Sequence, residues 1–260
     1  MNAPFEFGLW VSVLPLLVVL ATITWLLSMA LRNVGLSEPL WPLMLFVAGV
    51  TLALHADPRA PRLSLVLWPL AAWAIRLAIH LTKRFAGKEE ARRHRASRDR
   101  HGPHFGLKSF YLVFLRQALL CWVVALPLQG AFASNRPLGA LDWLGALLCC
   151  LGLVFETVSD WQLARFRAGP GGDAAVMDRG FWRYTRHPNY FGECCVWWGF
   201  YLMALSAGAW WAVPGPVLLT WLLLRVPGGP LLERGIGNRR PQYADYVLKT
   251  NVFFPARPRK

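Results

Sequence analysis

The sequence predicts an all-α integral membrane protein of about seven transmembrane helices, N-terminus outside and C-terminus cytoplasmic, and three observations predict it. Hydrophobic residues fill 55% of the 260 positions and the mean hydropathy is positive, too apolar for soluble domains. They gather into runs close to the roughly 20 residues that a helix needs to cross a bilayer. Between the runs lie Lys and Arg: 9 in 83–108, 5 in 165–193 and 7 in 228–260, together 21 of 28. The positive-inside rule assigns all three segments to the cytoplasm.

In order, the runs are 8–31, 39–55, 63–82, 109–129, 139–164, 194–211 and 213–227. The first reaches full spanning length without a small-residue cleavage site, so residues 1–31 are expected to stay as a helix rather than leave as a signal peptide. The second, WPLMLFVAGVTLAL, holds no acid or amide, and Arg59 and Arg62 just after it fit the charge rule poorly. The third ends in WAIRLAIHLTKR, where Arg76, His80 and Arg84 recur every four residues with Trp73 three before Arg76, a single helix face expected to point inward. The fourth carries Arg116 and Tyr111 and leads to the weakly charged connection 130–138, outside. In the fifth, FETVSDWQLARFR places Glu156 and Asp160 four apart with Arg167 two turns further on. The sixth and seventh are short, parted by Trp210, Trp211 and Pro214, and read as a helical hairpin or as one span with a re-entrant piece. Trp10, Trp41, Trp68, Trp143, Trp210 and Trp211 near the run ends suit an interfacial belt.

Ionisable groups inside a bilayer are costly and usually kept for function, which singles out Arg76, His80, Arg116, Glu156, Asp160 and Arg225. Interhelical ion pairing is the competing reading. The five cysteines, Cys121, Cys149, Cys150, Cys194 and Cys195, lack C-x-x-C spacing and read as small buried hydrophobes, with no metal site. KEEARRHRASRDRHGPH (88–104) has no interleaved aromatics, so an anionic-lipid-facing loop is preferred to a nucleic-acid patch. GPGGD (169–173) and PGGP (227–230) mark turns.

The densest polar constellation is VMDRGFWRYTRHPNYFGE (176–193), with Arg179, Arg183, Arg186, His187, Asn189, Tyr184 and Tyr190 just before an apolar run. Guanidinium forks match phosphate or carboxylate, Pro188 breaks the incoming pattern, and the following helix adds a positive N-terminal dipole. The segment is suited to an anionic ligand; an ordinary basic membrane-surface loop would not need HPNY and GE at the turn.

RYTRHPNYFGE followed by WWGFYL resembles the signature of the steroid 5-alpha-reductase C-terminal fold, and specifically its bacterial DUF1295 branch. RLAIHLTKR, FETVSDWQLARFR, LLLRVPGGPLLE and RPQYADYVLKTNVFFPARPRK extend the likeness over roughly 70–260, within a single transmembrane domain of residues 1–260. The resemblance implies an NADPH-dependent reductase of a conjugated carbon–carbon double bond in a steroid-like or isoprenoid lipid. It implies a cofactor site of Asp160, Arg167, Asn189, Glu193, Arg76, Arg84 and Arg225, joined by Arg183, His187 and Tyr190 of the basic signature. It also implies a bacterial inner membrane with the cofactor on the cytoplasmic side.

Steroid reductases of this fold use a second-helix carboxylate with a glutamine, and a third-helix tyrosine, to polarise the substrate ketone. Here the second run has no acid or amide and Trp73 takes the tyrosine position. Hydride addition to an enone builds charge on oxygen and needs a donor. His80 on the Arg76 face is the candidate catalytic residue, ahead of Tyr111, Tyr201 and His55. RHPxYxG is shared with isoprenylcysteine-type methyltransferases, so S-adenosylmethionine is the alternative cofactor, although LLERG supplies only Glu233 where those enzymes show paired glutamates. A non-catalytic lipid- or cofactor-binding homologue is the third reading. The expected partners are a lipid-like substrate and the membrane, with neither nucleic acid nor an obligate protein partner.

Overall fold

A computed structural model describes residues 3–85, 100, 102, 104–169, 175–225 and 242–259. The turn GPGGD after Gly169, most of 88–104, PGGP and Glu233 lie outside the described residues. The described residues form helices and connecting loops, without strands. Five helices are long and apolar enough to cross a membrane: α1 (Phe7–Ala30), α2 (Ser37–Leu54, or Val34–Leu54 with its leading turn), α3 (Arg62–Phe85), α4 (Phe105–Phe132) and α5 (Ala140–Ala168). The expected sixth and seventh spans are helices α6 (Pro188–Ala207) and α7 (Pro214–Arg225), and neither joins those five by length and composition. A short α8 (Tyr243–Lys249) follows.

Two compact units make up the chain: residues 1–143 with 201–215, and residues 144–200 with 216–260. In the first, α2 packs on α1, α3 and α4 around Met44, Leu45, Leu70, Trp73 and Phe114. α4 is not uniform; Phe110–Leu115 widens into a π-helical stretch, beside which Trp25 donates to the Gly106 carbonyl at 3.0 Å. Leu16, Val19, Ile23 and Leu27 on α1 stay exposed, an apolar surface that suits lipid. Trp68, Trp143 and Trp210 are exposed as a belt requires, whereas Trp10 stacks on Trp122 at 3.6 Å.

Arg62, the misfit to the charge rule, is fully buried and salt-bridged to Asp142. Its Nε and one terminal nitrogen donate to the two carboxylate oxygens at 2.8 and 2.9 Å. The Arg136 carbonyl accepts at 2.9 Å, while Ser206 Oγ and Gly139 N–H donate to Asp142 at 2.6 and 2.8 Å. A neutralised, hydrogen-bonded pair carries no topological signal, which removes Arg62 from the misfit, whereas Arg59 stays exposed.

The second unit is organised by an antiparallel seam of small residues. Glycines recur seven apart on both helices, at 145 and 152 on α5 and at 192 and 199 on α6. A Cβ at Gly152 would sit 2.6 Å from the Gly192 carbonyl, one at Gly192 2.6 Å from the Glu156 nitrogen, and one at Gly199 2.6 Å from the Gly145 carbonyl. Backbones that approach this closely exclude any side chain. Cys149 at the seam donates to the Val196 carbonyl at 3.1 Å. Cys121, Cys149 and Cys194 are buried, but Cys150 is exposed beside Leu147, Leu151 and Val154, correcting the uniform reading of the cysteines.

Candidate functional site

One turn beyond Gly192 and Glu156 along the seam, the register brings Asn189 opposite Asp160. The Asn189 amide donates to the Asp160 carboxylate at 3.1 Å. Asp160 is 5% exposed, Glu156 2% and Glu193 6%, so three carboxylates are buried at this end of the seam. The Asn189 carbonyl Oδ1 is buried and has no hydrogen-bond partner among the described residues. Reversing the amide would not help, because the nitrogen is the atom that can donate to Asp160. An orphaned buried acceptor costs about 1–3 kcal/mol and fits a ligand donor.

The basic signature is folded over α5. Gly180 has φ +58°, a left-handed conformation, and its Cα lies against the Gln162 amide, which accepts from Phe181 N at 3.1 Å. Phe181 stacks on Phe155 at 4.1 Å and the Trp182 indole donates to the Ser159 carbonyl at 3.0 Å. The tail then locks the turn. Thr185 donates to the Phe253 carbonyl at 2.8 Å, the Arg186 N–H to the Asn251 carbonyl at 2.9 Å, and the Tyr246 hydroxyl to the Trp182 carbonyl. Burial, and then the Tyr243 phenol, push the Tyr246 phenol above its ordinary range, so it stays protonated and able to donate.

His187 packs its ring 5.6 Å from Tyr190. Burial, and then the Arg186 charge, lower its pKa from 6.5 to about 4. His187 is therefore a neutral imidazole at pH 7. Arg186 is 8% exposed, whereas Arg183 and Arg167 are exposed and Arg225 lies 6.0 Å over the Trp221 ring.

The structure thus brings together Asp160, Asn189, His187 and Tyr190, with Glu193 one turn further along α6, all in the second unit. Arg167, Arg183 and Arg225 belong to the same unit at exposed positions. Arg76, His80 and Arg84 belong to the first: Trp73 is buried, Arg76 and His80 are half-buried and Arg84 is exposed. His55, also in the first unit, spends its Nδ1 on the Thr51 carbonyl at 2.9 Å, Tyr111 is exposed, and Tyr201 contacts the Trp210 carbonyl at 3.4 Å. Nothing in the local sequence singles out Ser159, Gln162 or Thr185, or the glycine seam, as parts of the site. The seven-residue glycine spacing on both helices is the seam's available signal.

The family described as "Protein of unknown function (DUF1295)" matches residues 24–250. The chain belongs to the DUF1295 family. A curated relative of this DUF1295 protein, an uncharacterized protein of Schizosaccharomyces pombe, is 26% identical over 174 residues, covering 58% of this chain and 50% of the relative. The chain therefore spans about half the length of that relative. Because the relative is eukaryotic, the restriction of the resemblance to a bacterial branch is not borne out. No solved structure matches the chain.

Proposed function

We propose that this DUF1295 protein is a membrane-embedded, NADPH-dependent reductase of a conjugated carbon–carbon double bond in a steroid-like or isoprenoid lipid, with the cofactor bound from the cytosol. The observation that carries the reading is the Asp160–Asn189 junction, with its orphaned acceptor, at the foot of an arginine-bearing turn. The donor set fits the cofactor's two chemistries. Asn189 Oδ1, Asp160 and Glu193 are buried acceptors for ribose hydroxyl or carboxamide donors, and Arg183 and Arg167 are exposed forks for phosphate. A neutral His187 adds hydrogen-bonding capacity without further positive charge. When bound, NADPH supplies the hydride. The chain's residues orient it: the glycine seam fixes the spacing of Asp160 and Asn189, and Thr185 and Tyr246 hold the turn.

The test is thermal denaturation of the purified full chain in detergent. NADPH at a hundred times its Kd stabilises a folded site by about 2.7 kcal/mol. Asn189→Leu and Arg183→Ala are each expected to weaken NADPH at least tenfold. Stabilisation by S-adenosylmethionine in place of NADPH, or unchanged NADPH affinity in both variants, rejects the proposal.

A further inference from the structure

The first unit contains a cavity of about 200 Å³ that the basic signature does not touch. Its wall comes from the N-terminal end of α1 (Glu6, Leu9), the C-terminal end of α2 with the residues after it (Leu52, His55, Asp57), and the C-terminal end of α4 (Gln129, Phe132). The amide and imidazole side chains of this wall each already donate, and Ser134 Oγ accepts from the Arg136 N–H at 3.3 Å. Gln129 Nε2 donates to the Glu6 carbonyl at 2.9 Å, His55 Nδ1 to the Thr51 carbonyl at 2.9 Å, and Asn135 Nδ2 to Asp57 Oδ2 at 2.6 Å. Acceptor capacity remains on the Glu6 carboxylate, on the second ring nitrogen of His55, on Gln129 Oε1, and on the further lone pairs of Asp57, whose Oδ1 accepts from the Arg59 N–H at 2.9 Å. Gln129 is 3% exposed, and this Oε1 is buried with no hydrogen-bond partner among the described residues. Its amide cannot reverse, because that would set oxygen against the Glu6 carbonyl. No Lys or Arg is among the lining residues, despite the chain's net charge of +14.

We infer that this cavity is a binding site for a primary ammonium group carried on a short apolar stem. An ammonium presents three donors and no acceptor, the complement of a wall with acceptors left over and two carboxylates. Leu9, Leu52 and Phe132 supply the surface for the stem. A divalent metal is a poorer match, since no cluster of three His, Cys, Asp or Glu ligands occurs among the described residues. The ammonium comes either from a free amine or from an ethanolamine lipid headgroup; the recognition chemistry is the same.

The test titrates the full chain with n-butylammonium chloride at constant ionic strength and reads the melting temperature, with 1-butanol, tetramethylammonium chloride and sodium chloride as controls. Saturable stabilisation by butylammonium alone is expected. Glu6→Gln with Asp57→Asn, both at exposed positions, should weaken it at least tenfold while leaving the unliganded melting temperature near wild type. Repeating the titration in nanodiscs separates the sources. Competition from phosphatidylethanolamine but not phosphatidylcholine identifies a headgroup, and no competition identifies a free amine. Equal shifts with butanol or sodium, no shift in the wild type, or an undiminished shift in the double variant would overturn the inference.

Discussion

Gly192→Ala tests the seam and the site together. The added Cβ would lie 2.6 Å from the Glu156 nitrogen, 2.7 Å from the Glu156 Cβ and 2.7 Å from the Gly152 carbonyl oxygen. Comfortable non-bonded separations are about 3.5–4.0 Å. No rotamer change relieves contacts with backbone atoms and a Cβ, so α5 and α6 must part by roughly 1 Å, an overpacking that costs about 1–3 kcal/mol. The same displacement stretches the Asn189–Asp160 bond from 3.1 Å beyond hydrogen-bonding reach. Thermal denaturation should report the destabilisation, and titration with NADPH a loss of affinity of tenfold or more. Gly139→Ala is the control, because the nearest atom to its Cβ is Ser206 Oγ at 3.9 Å. A Gly192→Ala protein as stable as wild type refutes the seam, and one that melts lower yet binds NADPH normally refutes its role in positioning the site.

Three further outcomes follow from other parts of the structure. Arg62→Met leaves Asp142 buried without its cation and should cost about 3–5 kcal/mol, whereas adding Asp142→Leu should recover most of that loss in a denaturation cycle. His187 has a folded pKa of about 4 against 6.5, so the unfolded chain binds the extra proton and stability falls as pH drops from 6.5 toward 4. Between pH 7.5 and 5 the loss is about 2 kcal/mol; His187→Gln should flatten the melting-temperature profile over that window, and an unaltered slope contradicts the neutral imidazole. Tyr246→Phe removes the donor to the Trp182 carbonyl and should destabilise the turn by about 1–3 kcal/mol, read as faster amide exchange over residues 180–187.

How far each of these features was legible depends on whether its cause is local. The expected runs 8–31, 63–82 and 139–164 became Phe7–Ala30, Arg62–Phe85 and Ala140–Ala168, since apolar run length and charge placement are read residue by residue against the bilayer. The sixth helix begins at Pro188, six residues before the apolar run at 194. Polar Asn189 and Glu193 are helical because Gly192 seats them against α5, a stabilisation that hydropathy does not register. The composition of the candidate site was likewise legible in HPNYFGE, but its assembly was not.

By itself the sequence determined a chain rich in membrane-length apolar helices, its DUF1295 membership, and the residue types available to hold an anion beside an apolar span. Only the tertiary structure decided which of those residues meet. Asp160 finds Asn189 across 29 positions because two glycine rows let the helix backbones touch, and Arg62 finds Asp142 across 80 positions and ceases to count as a topological charge. His187 holds its proton more weakly than a free imidazole because folding buries it, and sets it beside Arg186. Propensity and partition act on each segment alone, whereas burial, pairing and proton affinity belong to contacts that exist only once the helices are packed.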